Sequence, residues 1–404
     1  MNRVEGLNIR HSPASGLLQI GLRLAGPMPS GALHGQLRGL PPLANAAVEV
    51  FPASAGETRI EATAVLPPGM GPESVRLLLS AGEEPLLSLT PLPAIAEQAG
   101  LATLEPLDGG GATVRAWAGP GPHPGLMVDH RAEPLQPVGG GLWQARLPEA
   151  PLRLAVTLGA DRGLVTNPLS DWLAPNPAPD PRLDALRGRH AGQVAWLIGN
   201  GPSVRPEDLE RLQDRLSVAF NRFHLAHGNM RFRPAYTLSG DGQVIGDFGA
   251  EIVSRAGGPV FLAAETRPDL PGDWIWLRQA AVWPTLFSLD PRRVVGAGGS
   301  SLFATFQLLW WMGVRRFVIY GADFHFEGSE PGGDGLAHAE GNHFIPGYRG
   351  GRGWIPPAWR DICTGFLLAR HLAEAEGGWV RNATRGGMLE IFPRIGFEDA
   401  LGLR

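Results

Sequence analysis

Lysine is missing from all 404 residues, so the 35 basic side chains are every one arginine. That absence removes the P-loop lysine, the protein-kinase lysine and every Schiff-base mechanism together. Cysteine is almost as scarce: the single Cys363 can form no disulfide within the chain, which fits a reducing compartment. Charge is sparse at 18% of residues, and the net value of −4 leaves no basic excess to neutralise a nucleic-acid backbone. Nucleic acid is therefore not expected as a partner. Long apolar runs are absent as well. Gln19, Gly21 and Arg23 interrupt the best stretch near the amino terminus, and Thr305 and Gln307 interrupt 303–311. The expectation is a cytoplasmic protein with no transmembrane segment, with peripheral membrane association and homo-oligomerisation left open.

Glycine and proline are plentiful, at 56 and 38 residues, and they punctuate the amino-terminal part into short apolar runs such as 17–24, 48–51, 60–66 and 75–79. RIEATAV at 59–65 and GLWQARL at 141–147 alternate with period 2, which predicts a β-sandwich or barrel over 1–166. No cluster of titratable groups marks that region for chemistry. Five prolines between 167 and 181 deny donors to a central strand and predict a linker over 167–184. From 185 to 404 the texture becomes strand, glycine-rich turn, helix. That succession predicts an α/β domain with a mostly parallel, Rossmann-like sheet. Its first unit has a strand at 194–198 and a helix at 206–215 that Ser203 could cap. The clearest unit is a helix at 301–312, ended by Gly313, then a strand at 316–320.

Polar residues recur at the carboxyl ends of these strands, where open parallel sheets bind ligands. Gly199-Asn200-Gly201-Pro202-Ser203 follows the first strand; its glycines would let a backbone approach a phosphate, and Ser203 could donate to an oxygen. Proline stands where a dinucleotide fingerprint has its third glycine, which points away from NAD and FAD. Asn221-Arg222 follows the second strand, Ser239-Gly240-Asp241 the third, and Gly299-Ser300-Ser301 opens a later helix. A row of neutral hydrogen-bonding groups suits a nucleotide sugar better than a triphosphate, which normally demands lysine or carboxylate-held magnesium. The densest polar stretch is 321–348. Asp323, His325 and Glu327 alternate in it, and His338, Glu340, Asn342 and His343 follow in a glycine-rich loop suited to a lid. A metal hydrolase using His325, His338 and His343 is one reading of that loop, although the spacing matches no tight ligand signature.

In this order the motifs resemble the bacterial sialyltransferases of glycosyltransferase family 42 and the related motility-accessory-factor and 6-hydroxymethylpterin-diphosphokinase-like proteins. The similarity is carried by Gly199 to Ser203, Asn221 to Phe223, Gly299 to Ser301, Ile319 to Phe324 and Asn342-His343-Phe344, across about half the chain. Phe344 stands where the sialyltransferases have tyrosine, and the tail around Asn382, Thr384, Gly386 and Gly387 looks closer to the motility-accessory-factor branch. The resemblance implies metal-independent, inverting transfer of a sialic-acid-like nonulosonic acid from its CMP conjugate to a glycan or protein hydroxyl. No cofactor is implied beyond that donor. It implies His343 as base, with Tyr348, Arg349 and Arg352 as donors to the leaving phosphate. The nucleotide contacts it implies are Gly199, Asn200, Gly201, Ser203, Asn221, Arg222, Ser239, Asp241, Gly299, Ser300, Ser301 and Asp323. An ATP- and magnesium-dependent diphosphokinase of the pterin type, and a non-catalytic nucleotide-sugar-binding protein, are the competing readings.

Overall fold

The computed structural model describes residues 3–12, 17–25, 33–39, 43–52, 57–65, 75–81, 84–89, 99–108, 110–118, 123–129, 131–152, 154–158, 161–166, 169–282, 285–324, 326, 336–355, 357–387 and 389–403. The chain divides into two compact units, Met1–Glu97 and Gln98–Arg404.

The first unit is built from strands β1 (Arg3–Ser12), β2 (Leu17–Ala25), β3 (Leu33–Gly39), β4 (Ala44–Pro52), β5 (Glu57–Val65), β6 (Val75–Ala81) and β7 (Glu84–Leu89). They form antiparallel sheets in the orders β1-β2-β5-β4 and β3-β6-β7. Alternation decides which face is covered: Ile60, Ala62 and Ala64 of β5 share one apolar cluster with Val75, Leu77 and Leu79 of β6.

The second unit begins with β8 (Ala99–Pro106), β9 (Ala112–Ala118), β10 (Pro124–Val128), β11 (Arg131–Glu133), β12 (Gln136–Gly139), β13 (Leu142–Leu147), β14 (Leu154–Leu158) and β15 (Asp161–Thr166). Two antiparallel sheets result, β12-β13-β9-β8 and β11-β10-β14-β15. These strands do not continue the first unit, contrary to the single amino-terminal domain expected over 1–166. Leu101, Leu104, Val114, Leu126 and Val156 are buried in one cluster with Ala280, Val282, Leu286 and Val294 from the carboxyl-terminal half. Nor is the proline-rich stretch a free linker. It carries the short helix α1 (Ser170–Leu173), whose Trp172 is buried in that cluster and donates from Nε1 to the Leu104 carbonyl at 2.7 Å. Burial of such a side chain contributes about 1.5–3 kcal/mol, which holds the segment in place. The Arg278 guanidinium also donates to the carbonyls of Asp171 and Ala174.

Helices α2 (Arg182–Leu186), α3 (Pro206–Glu210), α4 (Gly242–Arg255), α5 (Ser301–Trp311), α6 (Trp359–Ala375) and α7 (Phe397–Leu401) accompany an eight-stranded sheet. Its strands are β16 (Val194–Ile198), β17 (Ser217–Phe220), β18 (Tyr236–Ser239), β19 (Val260–Ala264), β20 (Ile275–Ala280), β21 (Val295–Gly296), β22 (Arg316–Tyr320) and β23 (Trp379–Asn382). Every pairing is parallel, in the order β21-β20-β19-β18-β17-β16-β22-β23. β16, β17 and β18 are buried at every position, as expected of strands covered on both faces. Helix α5 is buried along its whole length, matching its apolar sequence. Helix α3 ends at Glu210 rather than 215, and its cap position is Arg205 with Pro206 following. Ser203 therefore caps nothing. The chain adds strands outward from β16 to β21, then crosses back to place β22 on the other side of β16. At such a reversal the loops leaving two neighbouring strands diverge and open a crevice at their carboxyl ends. Among the described residues, no helix is long and apolar enough to cross a membrane.

Candidate functional site

A cleft of about 430 Å³ opens at that reversal. Its floor comes from the turns after β16, β17, β18 and β22 and from the start of α5; its wall comes from 342–362. Of the residues singled out above, Gly199, Asn200, Gly201, Asn221, Asp241, Gly299, Ser300, Ser301, Asp323, His343, Tyr348 and Arg349 line it. Ser203, Arg222 and Ser239 do not. Arg352 is 58% exposed at its side chain and pairs with Asp247 at 3.1 Å.

The glycines of the first turn face protein. A Cβ on Gly199 would lie 2.2 Å from the Gly321 carbonyl oxygen, and one on Gly201 would lie 1.9 Å from Asp323 Oδ2. Their N–H groups donate to the carbonyls of Tyr320 and Gly321 at 2.8 and 2.9 Å. Ser203 donates from Oγ to Asp323 Oδ2 at 2.8 Å and from its backbone N–H at 3.4 Å. Three of the four N–H groups in this turn therefore serve protein acceptors, which corrects the expectation that they cradle a phosphate. Glycine is required because the ends of β16 and β22 touch.

Asn200 is turned the same way. Its Nδ2 donates to the Phe220 carbonyl at 2.9 Å and to the Tyr348 hydroxyl at 3.2 Å. Because a carbonyl can only accept, this orientation of the amide is settled, and both N–H bonds are occupied. What faces no protein partner is Oδ1, a buried acceptor. Asn221, at φ 53°, accepts at Oδ1 from the hydroxyls of Ser239 at 2.8 Å and Ser301 at 3.2 Å, while Ser301 Oγ accepts from Gly240 N–H. The network ties the ends of β17 and β18 to the amino terminus of α5. Asp241 caps α4, its Oδ1 accepting from Gln243 and Val244 N–H, so a carboxylate already occupies that helix start. Helix α5 is capped by the neutral Ser300 hydroxyl instead, and its positive end opens on the cleft.

On the wall, His343 lies flat on Tyr348, with ring centroids 3.8 Å apart and planes inclined by 11°. Burial, aided by the positive charge of Arg349, pushes the imidazole down to about 4, so the ring is neutral at pH 7. Burial raises the Tyr348 phenol, whose oxygen accepts from Asn200 Nδ2 and from the Arg222 backbone N–H. Arg349 is 5% exposed at its side chain; it donates to the Gly353 carbonyl and lies 3.7 Å from Asp247, and its buried Nε has no partner. The wall is fastened to the floor by Phe344 N–H donating to the Asn200 carbonyl, and to α4 by Gln243, which bonds Gly353 and Ile355.

The sequence reading missed the apolar side. Phe324, Phe326, Trp354, Ile355, Ile362 and Phe366 line the cleft beside the polar groups. Phe324 holds φ 56°, a left-handed conformation rarely adopted by a bulky residue. Its alternation with Phe326 in GADFHF was the available signal. Among the described residues no three His, Cys, Asp or Glu side chains come together in a way that could hold a metal ion. His325, invoked for a metal, lies outside the described residues, as does Glu327. No family model matches the chain, and no curated protein is significantly similar to it.

Proposed function

We propose that this chain is a metal-independent, inverting glycosyltransferase of Rossmann-like fold that moves a nonulosonic acid from its CMP conjugate to a glycan or protein hydroxyl. The observation that carries this reading is that His343 and the Gly199-Asn200-Gly201 turn line one cleft at the reversal of a parallel sheet. A neutral imidazole there holds a lone pair toward an incoming hydroxyl. It takes the proton as the acceptor oxygen bonds to the anomeric carbon and the bond from that carbon to the phosphate oxygen breaks. The electron pair leaves with CMP. Negative charge developing on the phosphate is met by Arg349, by the Tyr348 phenol and by the positive end of α5. An anionic donor beside His343 also opposes the effect of Arg349 and raises the basicity of the ring when a base is needed.

The magnesium-dependent diphosphokinase is disfavoured because both carboxylates it would use are engaged, Asp241 as a helix cap and Asp323 with Ser203. The test is calorimetry with CMP, UMP and ATP, followed by turnover of CMP-N-acetylneuraminate and its bacterial analogues. Binding of CMP in preference to ATP, with release of CMP, supports the transferase. Tight magnesium-dependent ATP binding and indifference to CMP would sink it.

A further inference from the structure

We infer that Arg222, expected from the sequence to touch the nucleotide, is instead a positioning residue that sets His343 through Tyr348. The inference rests on the transferase reading for the role of His343, while the contacts stand independently of it. Arg222 is 7% exposed and holds Tyr348 at two points. Its backbone N–H donates to the phenol oxygen at 3.1 Å, and its guanidinium Nη1 donates to the Tyr348 carbonyl. A residue gripped at both its backbone and the tip of its side chain has the axis of its ring fixed in place. The position of the Tyr348 ring is thereby set, and with it the surface on which the imidazole stacks.

Arg222 is itself held from behind. Its guanidinium lies 3.8 Å from the centre of the Phe248 ring, and Nη2 pairs with Glu251 Oε2 at 3.0 Å, both residues on α4. Glu251 Oε1 is bridged in turn to His224 Nε2 at 2.9 Å. Arg222 follows the left-handed turn at Asn221, and its side chain lies in this brace rather than in the cleft lining. Arg222 Nε and His224 Nδ1 remain buried without partners, which costs stability. A brace kept at such a cost fits a demand for geometry at the site better than one for stability.

The experiment follows the His343 ring by NMR on histidine-labelled protein, with His343→Gln to assign the resonance, alongside steady-state turnover of CMP-N-acetylneuraminate. In Arg222→Met the Tyr348 carbonyl is released while the backbone N–H to its phenol oxygen remains, and the loosened ring lets water reach the imidazole. Its pKa moves up by one unit or more from about 4, with Arg349 still facing it. On the transferase reading kcat falls about 100-fold while the donor KM changes less than threefold. Arg222→Lys keeps the charge but not the fork, and does not restore either value. Glu251→Gln leaves the grip on the Tyr348 carbonyl and moves the pKa in the same direction by less. It gives the same readout if the Met variant does not fold. A His343 titration unchanged in these variants overturns the inference. So does full recovery of kcat by Arg222→Lys. The titration needs no substrate, so a shifted His343 in a protein that turns over no donor sinks the transferase reading and leaves the brace standing.

Discussion

On the floor of the cleft, Gly199, Gly201, Asn221 and Ser301, with Ser203 and Ser239 behind them, satisfy one another and the neighbouring strand ends. On the wall, His343 presents a neutral ring and Arg349 retains an unpaired Nε. Both sides carry residues of the kind that bind phosphates and sugars, but the floor uses them mostly to hold its own shape. A hydrogen-bonding side chain at a strand end identifies the place where ligands bind more securely than it identifies the group that binds them.

The largest effect should come from the wall. His343→Ala is expected to lower transfer by about 10²–10⁴-fold, the usual contribution of a general base, while the dissociation constant of CMP stays within about threefold. Steady-state kinetics and calorimetry on one preparation check both halves. Equal loss of binding and turnover would make the ring a structural part of the floor instead.

On the floor, Gly201→Ala drives a methyl group against Asp323 and should cost about 1–3 kcal/mol, read as a lower urea midpoint. Should the variant keep its stability and lose CMP binding, the glycine serves the ligand and the contrast between the two sides collapses.

A pH series separates the cleft from the core behind it. Burial lowers both His343 and His371, the latter stacked on Trp117, to about 4. Unfolded histidine titrates near 6.5, so the unfolded chain binds more protons between about pH 6.5 and 4, and stability falls as pH drops through that window. Glu105 behaves in the opposite sense. Burial raises it to about 7, the folded chain holds the extra proton between about pH 4.5 and 7, and stability falls as pH rises through that range. The windows overlap, and because two histidines outweigh one glutamate across the overlap, thermal melts should show a shallow maximum near pH 6.5. Glu105→Gln should remove the fall above that pH and steepen the rise below it, by a few degrees.

The smallest effect belongs to Ser239→Ala. Asn221 keeps one of its two hydroxyl donors, so the expected loss is about 0.5–1.5 kcal/mol, with CMP affinity within twofold. A tenfold loss of affinity would put Ser239 in the binding surface after all.

Much of the α/β unit was readable because its signals are local. The strand at 316–320, Gly313 in the left-handed region at φ 89° and the helix from Ser301 all follow from residues within a few positions of one another. The boundary at 166 was not readable, because proline content reports a lack of strand propensity and nothing about Trp172 meeting the Leu104 carbonyl. The helix at 206–215 was overextended for a similar reason. Its apolar positions Leu209 and Leu212 are buried as a helix would bury them, although regular helix stops at Glu210.

From its residues alone, the chain determines the succession of strand, turn and helix and the exclusion of lysine chemistry. Each depends on the nature of a side chain or on its near neighbours. Only the tertiary structure decides which polar groups are left for a ligand. Asn200 meets Tyr348 across 148 positions and Ser203 meets Asp323 across 120. A hydrogen-bonding group becomes available or occupied only when the distant partner arrives, and that is a property of the folded packing.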